Sequence, residues 1–344
     1  MQTFLGIDYP TLWFLVVGAL FSGYAILDGF DLGAGAWHLF FKDDKSRRIA
    51  LNAVGPVWDG NEVWLVIGGG ALFAGFPEAY ATLFSAMYIP FILFLGFLIF
   101  RAVSIEFRSK ENMKWWRNTW DLCYSISSAM LALLLGVVLG NVLIGMSMDE
   151  QFVYTGKWIQ FLNPYSLLVG LTSLSLFMVH GAIYLSMKTE GVLYEQVSRL
   201  LMRSIIVFVG FFLVVTVISL LRYPHLTDKF ISNPVLMVVP ALAFLCIANV
   251  PRLAKKGLYL RSFIFSALAI SFLLIVVAIE LYPVIILDKG ALLNNLTVYN
   301  AASSEKSLGI MLTIAAIGFP LVLTYTIFVY RTFWGKVKLD EHSY

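Results

Sequence analysis

Four acidic residues stand in apolar surroundings with matched spacing. Asp28 and Asp31 lie in the run Gly23-Tyr24-Ala25-Ile26-Leu27-Asp28-Gly29-Phe30-Asp31-Leu32-Gly33. Asp59 and Glu62 lie in Val57-Trp58-Asp59-Gly60-Asn61-Glu62-Val63-Trp64. A spacing of three residues puts both carboxyls of a pair on one helix face. A charged group within a bilayer costs about 2.5–3.5 kcal/mol on insertion scales, so acids placed there mark function by default. Carboxyls crowded together at low dielectric hold protons more tightly and titrate as a coupled set. Such a set takes up and releases protons near neutral pH, as an inward-opening proton path requires. Two plainer roles compete. The acids could pair with basic residues such as Arg47 or Arg101, or Asp59 could cap the start of a helix.

The elements that must position these acids are membrane helices. The chain has 344 residues, of which 60% are hydrophobic and 13% charged, with a mean hydropathy of +0.83. That polar content is too small to dissolve a protein of this size. The apolar residues arrive in blocks of the roughly 20 residues that a bilayer core about 30 Å thick demands. Nine such runs predict spans at about 11–38, 57–76, 80–100, 119–144, 164–187, 203–221, 235–251, 261–286 and 308–331. The expected fold is an all-α integral membrane protein forming a single membrane domain. Its longest connections, 145–163 and 287–307, read as short surface links. Met1–Pro10 has neither a basic residue nor a small-residue cleavage site, so the first block reads as a span and not a signal peptide.

Charge asymmetry orients these spans. Of the 24 basic residues, all but Lys157, Arg222, Lys229, Lys289 and Lys306 follow odd-numbered spans. Cytoplasmic loops carry the Lys/Arg excess, so the N-terminus is expected outside and the C-terminus in the cytoplasm. Both acidic pairs then fall in the cytoplasmic half of two consecutive antiparallel helices.

Other polar residues discriminate less. His180, in the fifth span, suits either a haem ligand or a packed, hydrogen-bonded side chain. His38 lies at the inner end of the first span, while His225 and His342 lie outside the spans. Paired axial ligation needs two histidines at similar depth. Glu280 reads as a side chain snorkelling to the outer interface. Trp115, Trp116, Trp120 and Trp334 flank spans as an interfacial belt does. Trp58 and Trp64 accompany the acids and either line a quinone ring or fill space. Cys123 and Cys246 sit in apolar runs and read as buried thiols. No phosphate-binding loop, dinucleotide fingerprint, zinc-ligand spacing or nucleophile triad is present, and no catalytic or metal-ligating set is expected. Two other functional classes fit the acids: a secondary transporter holding a coupling cation, and a purely structural subunit.

The segments GYAILDGFDLGAG and RRIALNAVGPVWDGNEVWLVIGGGALFAGFP together resemble the N-terminal signature of subunit II of cytochrome bd-type quinol oxidases. The likeness continues through FRAVSIEFRSK, WRNTWDLCYSISS, LNPYSLLVG, HGAIYLSMKT, YNAASS and RTFWGKV, and so covers nearly the whole chain. Between about 200 and 280 only the hydrophobic pattern matches. The resemblance implies nine spans: a four-helix bundle over 1–144, a second over 164–286, and a peripheral helix at 308–331. It implies a heterodimer in a bacterial or archaeal cytoplasmic membrane that oxidises quinol and reduces dioxygen to water. Two haems b and one haem d, with their ligands, are then expected on subunit I, and none on ligands from this chain. Asp59 is implied in a cytoplasmic proton pathway, and Asp28 and Asp31 in supporting that pathway or the subunit interface. A structural quinone against Trp58 and small accessory subunits are further expectations, and no nucleic-acid partner is expected. Protons taken from inside and released by quinol outside would make the reaction electrogenic without a pump.

Overall fold

The structure is a computed structural model that describes residues 3, 4, 6–289 and 295–339. A two-stranded ladder, β1 Thr3–Phe4 with β2 Ile7–Asp8, precedes α1 Tyr9–Trp37. There follow α2 Asp44–Val54, α3 Trp58–Gly75, α4 Pro77–Ala86, α5 Tyr88–Phe107, α6 Lys114–Ile144, α7 Pro164–Lys188 and α8 Gly191–Arg222. The short α9 Asp228–Ser232 leads to α10 Val238–Lys255 and α11 Tyr259–Leu281. A second ladder, β3 Val284–Ile286 with β4 Leu296–Thr297, precedes α12 Glu305–Thr332. Among the described residues, eight helices are long and apolar enough to cross a membrane, and up to nine if the bent pair α3–α4 counts as one span.

Hydropathy misplaced several boundaries. The run at 80–100 is divided: α4 turns away from α3 by 120°, and α5 is the crossing segment. Pro77 begins α4 where α3 ends, because a proline nitrogen cannot extend the helical ladder. A bend between two apolar helices leaves no mark on hydropathy. α5 also continues past residue 100, so Arg101, counted among the loop bases, lies within a helix. α8 begins about three turns before 203, its early turns carrying Glu195, Arg199 and Arg203. α11 stops at Leu281, and residues 284–286, expected as helix, form β3. The amphipathic α2 lies in a stretch read as loop. Asp43 caps it, accepting from the Ser46 hydroxyl at 2.7 Å and backbone N–H at 2.8 Å. Those bonds, the hydroxyl's first, hold the Asp43 carboxyl below the usual carboxylate range.

α1 is the central element, packing on α3, α6, α7, α11 and α12. Its crossing with α7 brings backbones into contact. A Cβ on Gly33 would lie 1.7 Å from the Phe177 carbonyl oxygen, and one on Gly181 would lie 2.3 Å from the Ala34 nitrogen. Small residues permit such close approach in membranes, where hydrophobic burial offers no drive between helices.

The two long connections are not surface links. Met146, Met148, Phe161, Leu296 and Val298 are buried with Trp13, Phe76 and Leu308 in one cluster. Backbone bonds knit them together: Met146 N–H donates to the Leu287 carbonyl at 2.8 Å, and Ser303 N–H donates to Gly75 at 2.8 Å. α12 lies against α1 and α3 with its apolar faces largely exposed.

Candidate acidic cluster

Asp28 and Asp31 sit near the C-terminal end of α1, and both are 0% exposed. Their burial follows from the packing of α1, whose residues 28–37 are all buried where it meets α3, α6, α7 and α11. Arg101, also 0% exposed, projects from α5 and grips Asp28 with a fork of two bonds. Its Nη2 lies 2.6 Å from Asp28 Oδ1 and its Nη1 3.2 Å from Oδ2. The same Nη1 stands 3.5 Å from Glu62 Oε1 on α3. Bidentate arginine–carboxylate pairing is among the strongest charge-assisted geometries. Asp31 is held differently. Asn61 Nδ2 donates to Asp31 Oδ2 at 2.7 Å and to the Leu27 carbonyl at 3.2 Å, and the Tyr330 hydroxyl donates to Asn61 Oδ1 at 3.0 Å. Asp31 Oδ1 and Arg101 Nε have no hydrogen-bond partner among the described residues.

Three carboxyl groups thus face one guanidinium in a region with little access to water. A buried ion pair offsets its desolvation only when geometry and extra hydrogen bonds are good, and surplus charge there is costly. One guanidinium therefore serves more than one carboxyl here, with Asp28 as its closest partner.

Asp59 stands apart. It is exposed in the first turn of α3, one turn before Glu62. It does not cap that helix: the N-cap position is Val57, and no side chain bonds there. Its charge does lie at the positive end of the α3 dipole. Three of the four acids of the sequence reading are therefore gathered through Arg101 and Asn61, while Asp59 lies at the surface end of the same helix. Arg101 was named only as a possible pairing partner of these acids, and Asn61 and Tyr330 were not recognised as members. Asn61 stood inside the motif, and an arginine one residue beyond a predicted span was a detectable signal. Tyr330, some 270 positions from Asn61, had none.

A second ionic group lies nearby and was likewise not foreseen. Asp121 of α6 accepts from Arg108 Nε at 2.5 Å and Arg47 Nη1 at 3.0 Å, and pairs with His38 Nε2 at 2.5 Å. Asp44 joins Arg108 at 2.8 Å and Arg117 at 3.1 Å. Arg47 thus serves Asp121, while Arg101 does pair with Asp28 as the plainer reading held.

His180 offers no free nitrogen for axial haem ligation: Nδ1 lies 2.9 Å from Ser266 Oγ and Nε2 3.1 Å from the Ile26 carbonyl. It is the packed, hydrogen-bonded side chain. His38 Nε2 is engaged by Asp121, its Nδ1 having no partner among the described residues, His225 Nε2 is engaged by the Leu143 carbonyl at 3.1 Å, and His342 lies outside the described residues. Among the described residues no group of three His, Cys, Asp or Glu side chains is placed to hold a metal ion. Trp58 is 9% exposed and packs with Leu51, Ile105 and Tyr124, and Trp64 packs with Leu20 and Tyr24. Glu280 is half-buried, and Lys229 Nζ donates to the Ile279 and Glu280 carbonyls at 2.9 and 2.8 Å, and to that of Tyr282, capping α11.

Residues 9–333 match the family model described as cytochrome bd terminal oxidase subunit II. The chain belongs to that family. This subunit II is 32% identical to cytochrome bd-I ubiquinol oxidase subunit 2 of Escherichia coli, over 97% of each chain. It is 33% identical to cytochrome bd ubiquinol oxidase subunit 2 of Bacillus subtilis, over 96% of this chain and 97% of that one. Its fold matches a chain of the solved bd oxidase from Geobacillus thermodenitrificans with a TM-score of 0.79 and 21% identity, covering 94% and 98% of the two chains. Family membership displaces the secondary-transporter reading. Subunit II is thus a multi-pass protein of a bacterial inner membrane and one part of an oxidoreductase complex that includes a subunit I.

Proposed function

We propose that this subunit II stabilises a haem-bearing subunit I and supplies a cytoplasmic proton-uptake path for reduction of dioxygen to water, the electrons coming from quinol. The observation that carries the reading is the buried set Asp28, Asp31, Glu62 and Arg101, with Asp59 exposed one turn before Glu62. Dioxygen reduction consumes protons, and a low-dielectric protein can deliver them only through groups that exchange them. With nine crossings, N-terminus outside, Asp59 faces the cytoplasm and collects protons. Glu62, part-exposed and within reach of Arg101, passes them inward. Asp28 and Asp31 hold or release them beside the fixed positive charge of Arg101. Protons drawn from inside, with quinol protons released outside, generate a proton motive force without pumping.

The two haems b and the haem d belong to subunit I in this reading, and they supply electron transfer and oxygen chemistry when bound there. A structural quinone next to Trp58 and small accessory subunits complete the proposed assembly. The test is Asp59→Asn in the intact two-subunit oxidase. Quinol-driven oxygen uptake is expected to fall about a hundredfold or more, the range for a lost proton-transfer group, while haem content and assembly stay normal. One observation favours a second reading, the subunit as a purely structural partner: the two-bond Asp28–Arg101 fork resembles a lock between α1 and α5. Wild-type turnover in Asp59→Asn would leave that reading standing and remove the relay.

A further inference from the structure

We infer that Tyr330, on the last helix, is a positioning residue for the acidic cluster: its hydroxyl sets the orientation of the Asn61 amide and thereby the hydrogen bond that Asp31 receives. The inference rests on the proton-uptake reading of that cluster. It begins with Asn61, which is 2% exposed and turns Nδ2 toward two oxygens, the Leu27 carbonyl at 3.2 Å and Asp31 Oδ2 at 2.7 Å. A backbone carbonyl cannot donate, so the amide edge facing Leu27 must be the NH2. Asn61 Oδ1 then faces the Tyr330 hydroxyl at 3.0 Å, which donates to it. Asp31 Oδ2 is thereby offered a donor.

Without the hydroxyl, Asn61 Oδ1 is a buried acceptor lacking its donor, an arrangement that costs more than the bond itself contributed. The amide then loses one of the bonds that fix it, and the donor held against Asp31 Oδ2 is less firmly placed. Tyr330 therefore fixes the donor that Asp31 receives.

An independent feature fixes the height of Tyr330. Just beyond α12 the chain is clamped to the end of α7: Val337 N–H donates to the Lys188 carbonyl at 2.9 Å, and Lys336 Nζ to the Thr189 carbonyl at 2.8 Å. Lys188 Nζ answers with a 2.5 Å bond to the Phe333 carbonyl. The Tyr330 ring meets Phe30, the neighbour of Asp31, edge-on with centroids 6.4 Å apart. The helix expected to be peripheral thus reaches the cluster with a hydroxyl held in register by its own C-terminal clamp.

The test uses the intact two-subunit oxidase. In Tyr330→Phe, kcat for quinol-driven oxygen uptake should fall about fivefold, the equivalent of one net hydrogen bond. KM for quinol and haem content should not change, and the solvent deuterium isotope effect should rise. In an Asn61→Leu background the same substitution should cause no further slowing, because the amide it positions is gone. Should Tyr330→Phe fail to assemble, a fluorinated tyrosine at position 330 keeps the ring and changes only the donor, and turnover and isotope effect should still move. Wild-type turnover and isotope effect in either variant overturn the inference, as does equal slowing in both backgrounds. If Asp59→Asn is slow while Tyr330→Phe is not, only this inference falls. If both turn over at the wild-type rate, the proton-uptake reading falls with it.

Discussion

Arg101 decides the chemistry of the cluster. It has no exposed surface, it satisfies Asp28 with two bonds, and its next carboxylate, Glu62, lies at 3.5 Å. Removing one member of a buried pair leaves the other charge uncompensated, at a cost of about 3–5 kcal/mol. Asp28→Asn should therefore lower the yield and thermal midpoint of the assembled oxidase. Glu62→Gln should leave both near wild type, because the 18% exposed Glu62 side chain is neither deeply buried nor bonded as closely. Haem content per purified complex, followed through a thermal ramp, separates the two. Equal stability of both variants would show that the Asp28–Arg101 fork is not the structural lock its geometry describes.

At the scale of elements, the α1–α7 crossing holds the acids in place. Gly33 permits it, since any side chain there would enter the Phe177 carbonyl, and a backbone oxygen cannot be moved by a rotamer change. Overpacking of this kind costs about 1–3 kcal/mol, occasionally more. Gly33→Val should strip assembled complex from the membrane fraction. Gly210→Ala, on α8 where an added Cβ meets nothing within 4 Å, should leave expression and assembly unchanged. Comparing the two by immunoblot and haem spectrum tests packing at the crossing against glycine loss in general. The start of α3 sets the fourth acid apart: the helix begins only at Trp58, so Asp59 lies exposed in its first turn while Glu62, one turn on, reaches Arg101.

For the whole molecule, the consequence of charge asymmetry is a direction. Lys110 and Gln151 are both exposed, in the connections beyond opposite ends of α6. In a chain with Cys123 and Cys246 replaced by serine, Lys110→Cys should react with a membrane-impermeant maleimide only from the cytoplasmic side, and Gln151→Cys only from outside. The reverse pattern would turn the candidate path to face outward and remove its role in proton uptake. The same substitutions report whether α3 and α4 together make one crossing, because an odd number of spans before α5 would place Lys110 and Gln151 on the reverse sides.

Much of this organisation could be read from the sequence because the bilayer imposes it locally. Hydrocarbon thickness dictates block length, loop charge follows the membrane's sidedness, and the three-residue spacing of each acidic pair is a property of a single helix. Asp28, Asp31 and Glu62 were recognised on those grounds alone. What tertiary structure decided is whatever depends on two distant segments meeting. The break at Pro77 divided an apolar run without changing its hydropathy. Arg101 became a buried partner because α5 extends past the predicted span, not because its neighbours are unusual. His180 lost its claim as a ligand when Ser266 and the Ile26 carbonyl took its nitrogens. Tyr330 meets Asn61 only in the folded chain, since a hydrogen bond between residues 269 positions apart has no periodicity to announce it.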